Sequence, residues 1–136
     1  MIKEYKLSDK NLWHKIFEDF ETKGGAYKLI CRENNNVKPI GRLLGTDTAG
    51  VLYIGKANNY TKRIVGLKKT IDTKYASEPH ICGRRYCRNS KIRENFDYPN
   101  LYVQLYSHEE PILKEMELLN EYFEQFGEVP PLNANG

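Results

Sequence analysis

The 136-residue sequence predicts an α/β protein of the α+β kind, with a small three-stranded antiparallel or mixed sheet flanked by helices. Three observations carry this expectation. Apolar residues recur at helical spacing near both ends, short β-rich runs bounded by glycine and asparagine lie between them, and the length suits a single core. With 40% hydrophobic and 12% aromatic residues there is apolar surface enough for that core, which excludes a disordered or fibrous chain. No apolar run approaches the roughly 20 residues that span a bilayer, and the start MIKEYKLSDK carries no signal-peptide stretch, so no membrane partner and a cytoplasmic location are expected. Cys31, Cys82 and Cys87 are odd in number and scattered, and make no disulfide framework.

The elements follow in order. Residues 8–23 read as a helix with Ser8 as N-cap, with Leu12, Trp13, Ile16, Phe17 and Phe20 on a core-facing side and Gly24-Gly25 as its stop. Residues 1–24 are thus expected to be a helical extension packed on a domain of residues 25–136. AYKLIC (26–31) reads as a strand, 40–44 as a shorter extended piece, GTDTAG as a turn, and 51–54 as a strand ended by Gly55. Tyr27 and Tyr53 then lie on strands able to be antiparallel neighbours. Residues 58–71 space Ile64, Leu67 and Ile71 as a helix, which places Lys62 and Arg63 near its start. Residues 72–100 read as a loop with one short helix around 90–96, LYVQLY (101–106) as a strand, and 109–126 as a long helix with Pro111 in its first turn and Gly127 as its cap.

Charge is unevenly distributed. Residues 56–93 carry eleven basic and two acidic side chains, whereas residues 94–136 carry one basic and nine acidic. A basic block attracts polyanions, so nucleic acid is the natural partner; pairing of the basic middle with the acidic end is the competing account. On a wheel of the last helix, Ile112, Met116, Leu119, Tyr122, Phe123 and Phe126 form an apolar arc that includes Glu115, while Glu117, Glu121 and Glu124 fall opposite. A carboxylate facing inward is costly unless paired or bound to a cation, so Glu115 is a candidate metal ligand or the partner of an arginine from the basic block.

These residues are similar to the motifs of the GIY-YIG nucleases. Gly25-Ala26-Tyr27 stands where that family has its first tripeptide, and Tyr53-Ile54-Gly55 matches the second. Arg63 follows Tyr53 by ten residues, Glu115 stands in the setting E-x-x-L-L, and Asn133 in PPLN resembles the asparagine that closes the motif set. The resemblance spans residues 25–133. It implies a three-stranded antiparallel core and a metal-dependent endonuclease hydrolysing phosphodiesters in nucleic acid, DNA first, with Mg²⁺ or Mn²⁺. A catalytically silent nucleic-acid-binding module is the alternative, and monomer and homodimer both stay open.

Under that resemblance Glu115 holds the metal and Arg63 grips the phosphate through its planar fork. Tyr27 or Tyr53 positions or deprotonates the attacking water, with Lys56 and Lys62 supplying the positive charge a phenol needs. Asn133 is an accessory residue. Ala26 replaces isoleucine, and Leu67 stands where many members carry histidine or tyrosine, a place His80 or Tyr75 fills from the following loop. The 26 residues from Tyr27 to Tyr53 hold an insertion, residues 32–50, which either loops out or adds a strand pair. His80, Cys82 and Cys87 form a weak H-x-C-x4-C zinc pattern, short of the four ligands structural zinc takes. Lys68, Lys69, Arg84, Arg85, Arg88, Lys91 and Arg93, with Tyr86 among them, read instead as nucleic-acid contacts.

Overall fold

The computed structural model describes residues 2–72 and 81–133. In chain order it contains β1 (Ile2–Lys6), α1 (Leu12–Phe20), β2 (Gly25–Glu33), β3 (Asn36–Val37), β4 (Ile40–Arg42), β5 (Gly45–Asp47) and β6 (Val51–Ala57). There follow α2 (Tyr60–Asp72), α3 (Ile81–Arg88), α4 (Ser90–Asn95), β7 (Leu101–Ser107) and α5 (Pro111–Phe126), with short 3-10 turns at Tyr98–Asn100 and Pro131–Asn133. The α+β class is as expected, and every strand pairing is antiparallel.

The expected three-stranded core is β6-β2-β7, with β2 hydrogen-bonded on both sides. The sheet is nevertheless five-stranded, because β1 adds to the outer edge of β7 and β3 folds back on the end of β2. The N-terminal 24 residues are therefore not only helical. β1 escapes the sequence because its one buried side chain, Tyr5, leaves no alternating pattern; its partner β7 supplies the pairing.

The first helix starts at Leu12 rather than after Ser8. Tight turns hold the preceding residues: Asp9 N–H donates to Lys6 O, and Asp9 Oδ1 accepts from Asn11 N. Leu12, Ile16 and Phe20 point into the core, but Trp13 and Phe17 do not. One sheet face carries Tyr27, Leu29, Val103 and Leu105 against α1 and α2. The other carries Ala26 and Ile54 against Leu118, Tyr122 and Phe126 of α5. Each such Leu or Ile contributes about 2 kcal/mol relative to exposure.

The buried stripe of α5 thus differs from the expected arc. Ile112, Met116 and Phe123 are more than half exposed, and Leu118, which is not among the arc residues, is buried. Glu115 falls in the middle of the stripe defined by Leu118, Tyr122 and Phe126, so its inward placement survives on a rotated face. Gly127 ends the helix in the left-handed conformation at φ 75°, its N–H donating to Phe123 O. Within residues 72–100, α4 is the short helix expected around 90–96, whereas α3 stands where a loop is expected, because Cys82 and Tyr86, one turn apart, bury the inner side of an otherwise charged helix. Tyr75 and His80 lie outside the described residues.

The insertion adds a strand pair. β4 and β5 form a separate hairpin fastened to the end of α5: Leu44 N donates to Phe126 O, Leu43 N donates to Glu128 Oε2, and Arg42 pairs with Glu128 at 2.6 Å. GTDTAG is thus half strand and half turn. Its anchor is the buried Asp47 carboxylate, which accepts from the amides of Ala49, Gly50 and Val51 and from the Tyr122 hydroxyl at 2.9 Å. Losing that side chain orphans several buried donors at about 1–3 kcal/mol each. Asp47→Ala is expected to lower stability by about 3 kcal/mol or more in urea titration, with Asp47→Asn intermediate.

Candidate active-site cleft

An open cleft of about 680 Å³ is lined by Tyr53, Lys56, Ala57, Asn58, Asn59, Lys62, Arg63, Gly66, Thr70 and Glu115. Its floor is set by sheet register. Tyr27 lies opposite Gly55 and Leu29 opposite Tyr53 across β2–β6, so both tyrosines rise from one face and their rings meet with centroids 6.0 Å apart. Only glycine fits at position 55. A Cβ there would lie 2.6 Å from Cζ of Tyr27 and 2.6 Å from Cε2 of Tyr53.

Arg63 enters from the first turns of α2 close to Tyr27, and the buried thiol of Cys82 is also near that phenol. Glu115 comes from the opposite layer. α5 packs on the far face, and β6 pairs only with β2 among the described strands, so Glu115 reaches the cleft past the edge of β6. Lys56 shares the Ile54 side of β6 and faces Glu115. Asn133 closes the same edge: its Oδ1 accepts from Ile54 N and its Nδ2 donates to Ile54 O, both at 2.8 Å, as a paired strand residue does. Ile54 is flanked by Tyr53 and Gly55, so this clamp fixes the strand segment that aims Tyr53.

Electrostatics distinguish the groups. Burial pushes the Tyr27 phenol well above its ordinary range, with Arg63 only partly offsetting it. Burial likewise pushes Tyr53 up to about 12, while Arg63 and Arg85 pull it back. Both are neutral phenols near pH 7. Proton abstraction by either tyrosine is therefore not favoured in the free protein, and positioning through hydrogen bonds is. Lys56 lines the cleft and acts on Glu115, whose carboxyl is raised by burial and lowered by Lys56 and Arg63. Lys62 lines the cleft and is exposed.

The outer basic residues divide. Lys68 Nζ donates to Asp9 O, Arg85 to Leu132 O at 2.7 Å, and Arg93 to Cys87 O, so these three fasten elements together. Sequence spacing does not reveal which carbonyl a long side chain will reach. Arg88, Lys91 and Lys69 are exposed, and Arg84 is half-buried with its Nε unpaired among the described residues. No group of three or more His, Cys, Asp or Glu is assembled among the described residues; Cys82 is buried, Cys87 Sγ donates to Thr70 O, and His80 lies outside them.

Sequence reasoning missed Asn58, Asn59, Gly66 and Thr70 as cleft residues, and Cys82 and Arg85 as neighbours of the tyrosines. Asn59 alone carried a signal, an asparagine just before a helix, and its Oδ1 accepts from Lys62 N. No family model matches the chain, and neither curated proteins nor solved structures give a match.

Tyr53 ionises near 10 in an unfolded chain and at about 12 in the folded one, and Tyr5, Tyr27, Tyr60, Tyr86 and Tyr122 are raised in the same direction by burial. The folded state retains the proton that the unfolded state releases, so stability is full below about pH 10 and is lost as pH rises towards 12. Thermal melts are expected to fall steeply above about pH 10, with tyrosinate absorbance rising together with unfolding. Asn133→Ala is expected to cost about 1–2 kcal/mol, read by denaturant titration, because it orphans both edge groups of Ile54.

Proposed function

We propose that the chain is a GIY-YIG-like endonuclease that hydrolyses phosphodiesters in nucleic acid with a divalent metal ion. One observation carries the reading. Tyr27, Tyr53, Arg63 and Glu115, the residues that resemble the family's motif positions, come from β2, β6, α2 and α5 and converge on one cleft or its floor. Three cations, Lys56, Lys62 and Arg63, face that cleft with one carboxylate, a balance that favours a phosphate.

The donor set fits a hard cation. Glu115 is partly buried, accepts no hydrogen bond from a described residue, and sits at an open cleft where an ion can keep several waters and meet a phosphate oxygen. When bound, such an ion would neutralise charge on the phosphate and lower the pKa of a bound water. Glu115 would hold it. Arg63, close to Tyr27, presents its guanidinium donors to the phosphate as negative charge accumulates. Tyr53, neutral and partly exposed in the wall, donates or accepts a hydrogen bond and orients the attacking water. The exposed Lys62 attracts the strand and screens the cleft.

Glu115→Gln preserves the side chain's size and removes its charge. It is expected to reduce cleavage of plasmid and labelled strands in Mg²⁺ or Mn²⁺ by at least about a hundred-fold, with binding by anisotropy retained. Arg63→Ala is expected to reduce turnover more than affinity. Wild-type cleavage that persists in EDTA, or that Glu115→Gln leaves intact, overturns the metal assignment. Salt-sensitive binding with no cleavage of any substrate makes the chain a silent binding module instead.

A further inference from the structure

Trp13 and Phe17 sit one turn apart on α1 and stack, with ring centroids 5.2 Å apart and planes 7° from parallel, at 48% and 37% exposure. The His14 ring lies against Trp13 at 4.9 Å, nearly perpendicular. Neither aromatic belongs to the core, whose needs Leu12, Ile16 and Phe20 meet. A preformed stack of two rings facing water is a surface suited to another flat ring.

Its place in the fold indicates which ring. α1 runs antiparallel to α2: Lys68 of α2 donates to Asp9 O before the start of α1, and Thr61 donates to Glu21 O after its end. One lateral edge of α1 faces β1, where Asp19 accepts from the Tyr5 hydroxyl and pairs with Lys3. With Leu12, Ile16 and Phe20 pointing inward, Trp13 and Phe17 occupy the other lateral edge, on the α2 side. The solvent face of α2 presents Lys62 and Lys69, and on its far side Arg63 and Gly66 line the cleft. Rings, lysines and cleft are therefore laid out in that order across one helix.

We propose that Trp13 and Phe17 form a base-stacking platform for an unpaired nucleotide of the strand whose phosphodiester lies in the cleft. This rests on the nuclease reading and adds a substrate class to it: nucleic acid with single-stranded character beside the cut. Phosphates run over Lys62 and Lys69, and a base continues the Trp13–Phe17 stack. A duplex keeps its base faces covered by neighbours and offers the rings only edges and backbone, so an open strand is the better fit.

Trp13 is the only tryptophan in the chain, so its emission reports this surface alone. Full-length Glu115→Gln protein in EDTA is titrated with a fluorescently labelled oligothymidylate and with a blunt duplex of equal length, reading probe anisotropy and, in parallel with unlabelled strands, Trp13 emission. The oligothymidylate is expected to change Trp13 emission over the same concentrations that raise anisotropy, and the duplex is not. Phe17→Ala is expected to weaken oligothymidylate binding about ten-fold. Phe17→Leu, which keeps the apolar bulk without the ring, is expected to do the same with an unchanged thermal melt. Anisotropy rising while emission stays constant overturns the platform and leaves the nuclease reading standing. An equal emission change with duplex overturns the unpaired-strand assignment. Emission that responds to protein concentration and not to oligonucleotide makes the face a self-association surface and overturns the proposal. Absence of binding to either probe removes the nucleic-acid reading and the platform together.

Discussion

The cleft depends on one close approach, that of two phenol rings over a strand residue with no side chain. Because β2 and β6 pair with Tyr27 opposite Gly55, the space a Cβ would take is filled by Tyr27 from across the sheet and by Tyr53 from two residues earlier. A shift of one residue in this register would turn one tyrosine to the α5 side and break the pair. The register is held from both ends. β7 pairs along the other edge of β2, and the Asn133 amide occupies the outer edge of β6 at Ile54. A residue near the end of the chain thus governs where a tyrosine in its middle points.

The consequence for chemistry follows from burial. The same packing that aligns the phenols removes them from water and raises their pKa, so they serve as neutral hydrogen-bonding groups. Permanent charge comes from elsewhere. Arg63 lies close to Tyr27, and Lys56 and Arg63 both pull against the burial of Glu115. The cleft gathers groups from both layers of the molecule because β6 pairs with β2 alone among the described strands, which lets a side chain from α5 reach past its edge.

The residues between Tyr27 and Tyr53 leave this arrangement intact. Their hairpin is bound to the end of α5 through Arg42, Leu43, Leu44 and Asp47, and none of these residues lines the cleft. Asp47 makes the attachment rigid, because one buried carboxylate satisfies three amides of its own turn and a hydroxyl of the helix. The long helix is therefore positioned at one end by the insertion, while its first turns carry Glu115 to the cleft.

Local sequence determined the elements whose periodicity is strong: β2, β6, β7, α2 and α5, the Gly127 cap, and the order of the motif residues along them. It also placed Glu115 inward, since a stripe of apolar neighbours at three- and four-residue spacing survives a modest rotation of the helix. What it did not determine depends on a partner distant in the chain. β1 became a strand because β7 had a free edge, Trp13 and Phe17 stayed in water because α1 needed only its Leu12, Ile16 and Phe20 edge, and Ile112, Met116 and Phe123 stayed out because α5 met the sheet on the Leu118 and Tyr122 side. Apolar character says that a residue favours burial, and only the tertiary structure decides which of several apolar faces finds a surface to bury it. The same holds for charge: Lys68, Arg85 and Arg93 read as one basic block with Lys62 and Arg63, and the fold alone separated those that bind carbonyls from those that face the cleft.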